Sequence, residues 1–166
     1  MITDSIRRAL TTCALPVALE AVGERWSFMI LRAAYAGLSH FEEFQSTLGI
    51  ARNILANRLA KLVEHGILSR SPCNDDRRKI EYRLTEKGEA LLPALVALRQ
   101  WGERWGGCST PAAYVLVDTV DDRPIPEIRV CASDGRVLRA HEMRWAERSE
   151  LGYAAVPIDE AVAALK

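Results

Sequence analysis

Apolar residues recur at Leu15, Leu19, Val22, Trp26, Met29, Ile30 and Ala33, the spacing of an amphipathic helix running from Pro16 to about Tyr35 and stopped by Gly37. Ser39-His-Phe-Glu42 then has the form of a capping box and predicts a short helix to about Thr47. Gly49 makes the next turn. ARNILANRLAKLVEHG follows with Leu55, Leu59 and Leu62 on one face, joined by Ile54 and Val63, and Gly66 as its stop. The period then changes from 3.6 to 2 in ILSRS and again in IEYRL; the two runs flank PCNDDRRK and predict a β-hairpin with a basic tip. Thr85 caps a long helix, TEKGEALLPALVALRQWGERWG, whose apolar face is Leu91, Leu95, Leu98, Trp101 and Trp105 and which Pro93 is expected to bend. Beyond Gly106-Gly107, the runs AYVLVDTV, EIRVCA and VLRAHEMRW read as strands joined by DDRP and SDGR turns, with a short helix from Ile158 to Leu165. The expected architecture is α+β, with residues 1–107 as a helical domain carrying the hairpin and residues 108–166 as a small β-rich extension.

With 166 residues, and 22 basic against 22 acidic side chains, the chain has ordinary globular composition. No stretch approaches the ~18 uninterrupted apolar residues of a membrane helix, so no membrane partner is expected. Arg7-Arg8 ahead of ALTTCALPVAL imitates an export signal poorly, since two threonines, Pro16 and Glu20 interrupt its apolar region; the expected location is the cytoplasm. Cys13, Cys73, Cys108 and Cys131 are widely spaced, and His40, His65 and His141 are scattered. That pattern predicts reduced thiols, no metal site and no cofactor. The zero net charge hides an asymmetry. Residues 1–110 hold 15 Lys and Arg against 12 Asp and Glu, whereas residues 111–166 hold 7 against 10.

A short capped helix, a glycine turn, a second helix and a hairpin with a basic tip is the order of a winged helix-turn-helix. An α-helix about 10–12 Å across fits a DNA major groove about 12 Å wide. With Leu55, Leu59 and Leu62 toward the core, the opposite face shows Arg52, Asn53, Ala56, Asn57 and Ala60. The two alanines keep this face thin, Asn pairs in one plane with adenine, and Arg reads guanine bidentately. Arg77, Arg78 and Lys79 on the wing tip would reach phosphate or the adjacent minor groove. Arg58, near the apolar edge of its helix, fits a phosphate contact or a structural ion pair. Asp75-Asp76 reads as a turn, not an acid–base dyad, because a solvated hairpin tip cannot separate two carboxyl pKa values.

CALPVALEAVGERWSFMILRAA, HFEEFQSTLGIARNILANRLAKLVEHGILSR and RRKIEYRLTEKGEALLPALVALRQWGERWG together resemble the HxlR-type transcriptional regulators, over roughly residues 10–106. The more specific parts are Gly23-Glu-Arg-Trp26, the Phe41/Phe44 pair, Asn57-Arg58-Leu59, and YRLTEKG leading into a helix that ends WGERWG. The resemblance implies a homodimeric bacterial regulator of double-stranded DNA, with the N-terminal helices and the long helix after the wing (Leu95, Leu98, Trp101, Trp105) at the dimer interface. The family often has Ser or Thr where Ala51 stands, a cap worth about 1 kcal/mol, and a basic residue where His40 stands. It also has a cysteine next to proline before its first long helix. Here that cysteine is Cys13, with Pro16 three residues on, and in some members it senses oxidants or electrophiles. Arg7 and Arg8 nearby would favour the reactive thiolate.

The sequence thus predicts a homodimeric, sequence-specific DNA-binding regulator, responsive to redox state, with Cys13 read as the sensor or else as a small buried apolar residue, or to an unidentified small-molecule effector. The alternative is a winged-helix protein-interaction module that has lost DNA binding, against which the retained Arg52, Asn53, Asn57 and basic wing count. A thiol enzyme is not supported, since neither Cys13 nor Cys131 has a neighbouring His/Asp arrangement. Cys73, beside Pro72 in the wing, reads as an exposed thiol without a role, and Cys108 and Cys131 read as incidental.

Overall fold

The computed structural model describes residues 4–73, 76–106 and 114–152. Residues 15–128 form one compact unit, and residues 1–14 with 129–166 form another.

The larger unit holds the expected helices with three changes of boundary. The helix expected over residues 16–35 is two helices, α2 (Leu15–Val22) and α3 (Arg25–Tyr35). The break has a local cause. A Cβ on Gly23 would strike the Leu19 carbonyl oxygen, and Glu24 is extended (φ −96°, ψ 141°) as the N-cap of α3. In α4 (Phe41–Leu48) the cap stands one residue later than expected: His40, not Ser39, is the N-cap, and Glu43 Oε2 accepts from the His40 N–H at 2.9 Å. Gly49 turns the chain with a left-handed φ of 60°, and α5 (Arg52–Glu64) follows from an Ala51 cap that supplies no side-chain acceptor.

The core lies where α3, α4 and α5 meet, with Ile30, Leu31, Phe44, Leu55, Leu59 and Leu62 fully buried. Ile67 and Leu68 extend it beneath the hairpin, which comprises β1 (Leu68–Pro72) and β2 (Ile80–Leu84). These pair antiparallel, with Leu68 opposite Leu84, Arg70 opposite Tyr82 and Pro72 opposite Ile80. His40 bridges to Glu81, and Ser39 O accepts from Tyr82 N at 2.8 Å, so the start of α4 is stitched to the hairpin.

Thr85 caps a single turn, α6 (Glu86–Glu89), by accepting from Gly88 N at 3.1 Å, while its hydroxyl donates to Gly66 O at 2.6 Å. The chain then restarts as α7 (Leu92–Trp105), with Pro93 in its first turn. Proline therefore begins a helix here instead of bending one, because its missing N–H falls where no intrahelical acceptor exists.

The extension departs from the β-rich expectation. Its described residues contain two isolated antiparallel bridges, Val117–Pro124 and Cys131–Val137, and 3-10 turns at Ala140–Glu142 and Arg148–Leu151. The turns fall where DDRP and SDGR predicted them, with Asp122 at φ 56° and Gly135 at φ 84°. The first ladder does not grow, since Pro124 and Pro126 bring no N–H to its returning arm. Residues 114–128 return instead to α7. Gln100 donates to Pro126 O (3.0 Å) and accepts from Ile128 N (2.8 Å), and Arg99 donates to Tyr114 O (3.0 Å). The larger unit thus runs on past residue 107 to Ile128. The helix expected at Ile158–Leu165 lies outside the described residues.

In the smaller unit, α1 (Asp4–Thr11) precedes Cys13, and Arg8 pairs with Glu147 at 3.5 Å.

Candidate nucleic-acid interface

Helix α5 is amphipathic in the sense the sequence required. Leu55, Leu59 and Leu62 are buried, and Arg52, Asn53, Ala56, Asn57 and Ala60 are exposed on the other side. The Arg52 guanidinium lies over the Phe41 ring, 4.8 Å from its centroid, which holds the first cation of the helix at its N-terminal end. Ala56 and Ala60 form a shallow wall facing the hairpin, and a cleft of about 360 Å³ separates them from Phe41, Arg70 and Tyr82.

The hairpin tip supplies the second half of the surface. Arg77, Arg78 and Lys79 are exposed. The loop closes where Cys73 N donates to Lys79 O at 2.8 Å. Asp76 organises the tip: its carboxylate accepts from both the Arg78 side chain (Nε, 3.2 Å) and the Arg78 backbone (3.1 Å), and those bonds lower its pKa, with Lys79 adding to the effect. A groove of about 620 Å³ runs between the tip and the helix starts, with Arg78 and Lys79 on one side, Arg52 on another, and His40, Glu42 and Glu43 along α4. The Glu43 carboxyl is likewise held below its usual range by the backbone N–H groups of Ser39 and His40. It stays ionised as a cap.

A profile of the HxlR-like helix-turn-helix proteins matches residues 21–110, from α2 through the wing to the end of α7. The chain belongs to that family. An uncharacterized HTH-type transcriptional regulator of Mycobacterium tuberculosis, Rv3095, is 48% identical over 88 residues, 53% of this chain and 56% of the relative. The chain thus spans little more than half the length of the mycobacterial relatives it matches. The crystal structure of PA1607, a candidate transcription factor, is 41% identical with a TM-score of 0.77 and covers 84% of this chain and 98% of that one. The redox regulator HypR in its oxidized form is 29% identical with a TM-score of 0.51, over 55% of this chain and 96% of that one. The fold is the α+β winged-helix-like fold of this HxlR-like family, and its named relatives are transcriptional regulators.

Within this HxlR-like chain, Arg52, Asn53, Asn57, Arg77, Arg78 and Lys79 all stand on exposed surface of α5 and the wing. Arg58 does not join them. Its side chain is 18% exposed and pairs with Glu24, at the junction of α2 and α3, so of its two readings the structural ion pair is the one found. Along α7, Val96 is the buried residue and Leu95 is half-buried, while Leu98, Trp101 and Trp105 remain 52%, 61% and 65% exposed. Cys13 is half-buried in the smaller unit, and the Arg8 cation expected to act on it is itself paired with Glu147. Cys131 is exposed, and Cys108 lies outside the described residues.

Sequence reasoning missed one pair. Cys73 is half-buried with its Sγ 3.3 Å from His40 Nε2. Thirty-three positions separate the two residues, and only the bridge of His40 to β2 brings them together, so no local signal announced the contact.

Proposed function

We propose that the protein is a homodimeric, sequence-specific DNA-binding regulator of transcription that reads base edges with α5 and phosphates with the wing. The observation that carries this reading is the joint exposure of Arg52, Asn53 and Asn57 on the thin face of α5 beside Arg77, Arg78 and Lys79 on the hairpin tip. A neutral planar amide is suited to adenine, and a flexible cation on a solvated loop is suited to the backbone. The membership in the HxlR-like family and the names of the relatives support DNA as the partner.

The homodimer is supported by the uncovered stripe of Leu98, Trp101 and Trp105 on α7 and by exposed Leu15, Val17 and Leu19 on α2. Side chains this large and apolar are normally covered by a partner, and a second copy would cover them symmetrically. A redox response through Cys13 is supported by its half-burial and by the similarity to HypR, with an unidentified small-molecule effector as the other response this reading allows. No helix among the described residues is long and apolar enough to cross a membrane.

Selection of sites from random duplex DNA with the purified protein, followed by fluorescence anisotropy across a salt series, tests the reading. An enriched site with two-fold symmetry and an affinity that falls steeply with salt is expected. Recovery of no enriched sequence, with no salt-dependent binding, would leave the protein-interaction module as the better account of the same surface.

A further inference from the structure

Beyond the side chains that face DNA, one cluster of reactive groups stands at the closure of the wing. The Cys73 Sγ lies 3.3 Å from His40 Nε2. The other ring nitrogen, Nδ1, lies 3.0 Å from Ser39 Oγ and 3.4 Å from Glu43 Oε2. An ionised carboxylate only accepts, so in the tautomer that turns its Nδ1 proton toward Glu43 the Nε2 lone pair faces the thiol. The backbone that carries the ring is anchored at three points. The His40 N–H is bound by Glu43 (2.9 Å), the residue bridges to Glu81, and the neighbouring Ser39 O is held by Tyr82 N (2.8 Å). Thiol, imidazole and carboxylate in one hydrogen-bonded line is the arrangement that activates a cysteine as a nucleophile.

The placement of this thiol matters as much as its partner. The Cys73 backbone N–H donates to Lys79 O at 2.8 Å and so closes the loop that carries Arg77, Arg78 and Lys79. A group attached to Sγ has to fit into the half-buried seam between this closure and the His40 ring. An adduct there stands against both the His40 ring and the Cys73–Lys79 hydrogen bond.

We propose that Cys73 is a covalent modification site for soft electrophiles of the α,β-unsaturated carbonyl class, and that its adduct opens the wing closure and weakens DNA binding. The second half rests on the DNA-binding reading above. In the step itself, His40 Nε2 takes the thiol proton and the sulfur lone pair forms a bond to the β-carbon. The C=C π pair shifts to the α-carbon and carbonyl as an enolate, and the imidazolium returns the proton to the α-carbon. The net change is addition of S–H across C=C, with no oxidant or reductant consumed.

The full-length protein is treated with limiting N-ethylmaleimide at pH 7, and each of Cys13, Cys73, Cys108 and Cys131 is quantified by peptide mass mapping. Cys73 is expected to react about tenfold or more faster than the exposed Cys131, and His40→Gln to slow Cys73 by a similar factor. The charged groups that share the groove with His40 are Glu42 and Glu43 from α4, Arg52 from α5, and Arg78 and Lys79 from the wing. At pH 10, above the ordinary thiol pKa of about 8.5, the wild-type and His40→Gln rates are expected to converge, which a mere change of exposure would not produce. Cys131 reacting as fast as Cys73 overturns the site, as does a His40→Gln rate equal to wild type at pH 7. Should His40→Gln fail to fold, the Cys73-to-Cys131 ratio in the wild type carries the test. For the second half, treated wild type is expected to bind its duplex about tenfold more weakly than untreated, and treated Cys73→Ser to bind as before. Equal binding by treated and untreated wild type overturns the regulatory half alone. If the untreated protein binds no duplex, the DNA-binding reading fails and the regulatory half falls with it, while the labelling contrast still decides the site.

Discussion

Arg58 on α5 forms an ion pair with Glu24, the residue that caps α3, and its Nε is buried without a hydrogen-bond acceptor. The pair ties the proposed reading helix to the helix that packs behind it, so the angle of α5 depends on a contact on its inner side.

Removing one partner of this pair is expected to hurt more than replacing the cation with an apolar chain. Glu24→Ala leaves a largely buried guanidinium without its carboxylate and is expected to cost about 1–3 kcal/mol; the half-exposed carboxylate keeps the figure toward the low end. Arg58→Met keeps the aliphatic stem and discards the charge together with the unsatisfied Nε, so its loss is expected to be smaller. Urea unfolding of the two variants ranks them directly. Because Arg58 faces inward, Arg58→Met is also expected to leave the salt slope of DNA binding unchanged, whereas a slope reduced by about one would return Arg58 to the phosphate contacts.

The helix and the wing are expected to separate by the physics of their contacts. Arg78→Ala should weaken binding to specific and scrambled duplexes alike and lower the salt slope by about one per lost phosphate contact. Asn53→Ala and Asn57→Ala should each cost about 1–3 kcal/mol on the selected site and little on scrambled DNA, with the slope nearly fixed. Anisotropy on both duplexes across a salt series measures all three. Loss of specificity in Arg78→Ala with none in the Asn variants would make the wing the reader.

Most of this surface was legible because it follows from local periodicity. Leu55, Leu59 and Leu62 at helical spacing determine which face of α5 is exposed, and the change to period two at ILSRS and IEYRL marks the hairpin. What escaped depends on contacts between distant segments. Arg58 was ambiguous because Glu24 lies 34 positions away. The His40–Cys73 contact exists only because β2 accepts residues 39–40 as a short pairing partner. The break at Gly23 was hidden by apolar spacing that continues unchanged across two helices, and only the Leu19 carbonyl shows why glycine stands there. The strands read into residues 114–132 satisfied the alternation rule, yet the prolines at 124 and 126 withhold N–H groups and the Gln100 side chain takes up the backbone at 126 and 128.

The proposed dimer is expected to come apart when charge enters the α7 stripe. Trp101 and Leu98 are exposed in the single chain, so Trp101→Glu or Leu98→Glu should leave the chain folded, with a surface cost of about 0.5 kcal/mol or less. At an interface the same carboxylate would be buried opposite its symmetry copy. The dissociation constant is then expected to rise about hundredfold or more. Light scattering at micromolar concentration distinguishes the outcomes: a wild-type monomer would remove the homodimer, and a dimer unaffected by both substitutions would move its interface away from α7.

Tyr35 gives the fold an alkaline limit that can be measured separately from DNA. Its hydroxyl donates to the Gly88 carbonyl, joining α3 to α6, and Gly88 is itself confined because a Cβ there would strike the Ile67 carbonyl oxygen. Burial raises the Tyr35 pKa above its ordinary value of 10.0, and the neighbouring negative charge of Glu89 raises it further. The folded protein therefore holds this proton more tightly than the unfolded chain does. The stabilisation is fully present below pH 10 and is lost as pH rises through the higher folded value. Tyr35→Phe removes the hydrogen bond, leaves the Gly88 carbonyl with the Leu91 N–H (3.1 Å) as its remaining donor, and is expected to cost about 1 kcal/mol near neutral pH. It also removes the titration, so the stability gap between wild type and variant should narrow from pH 9 to pH 11 as the wild type alone loses this contribution. Other alkaline groups titrate in both proteins and cancel in the difference. Urea midpoints of the two proteins at half-unit pH steps provide the measurement. A gap that stays constant to pH 11 would show that the Tyr35 hydroxyl has no special hold on its proton and that its contact with Gly88 adds little.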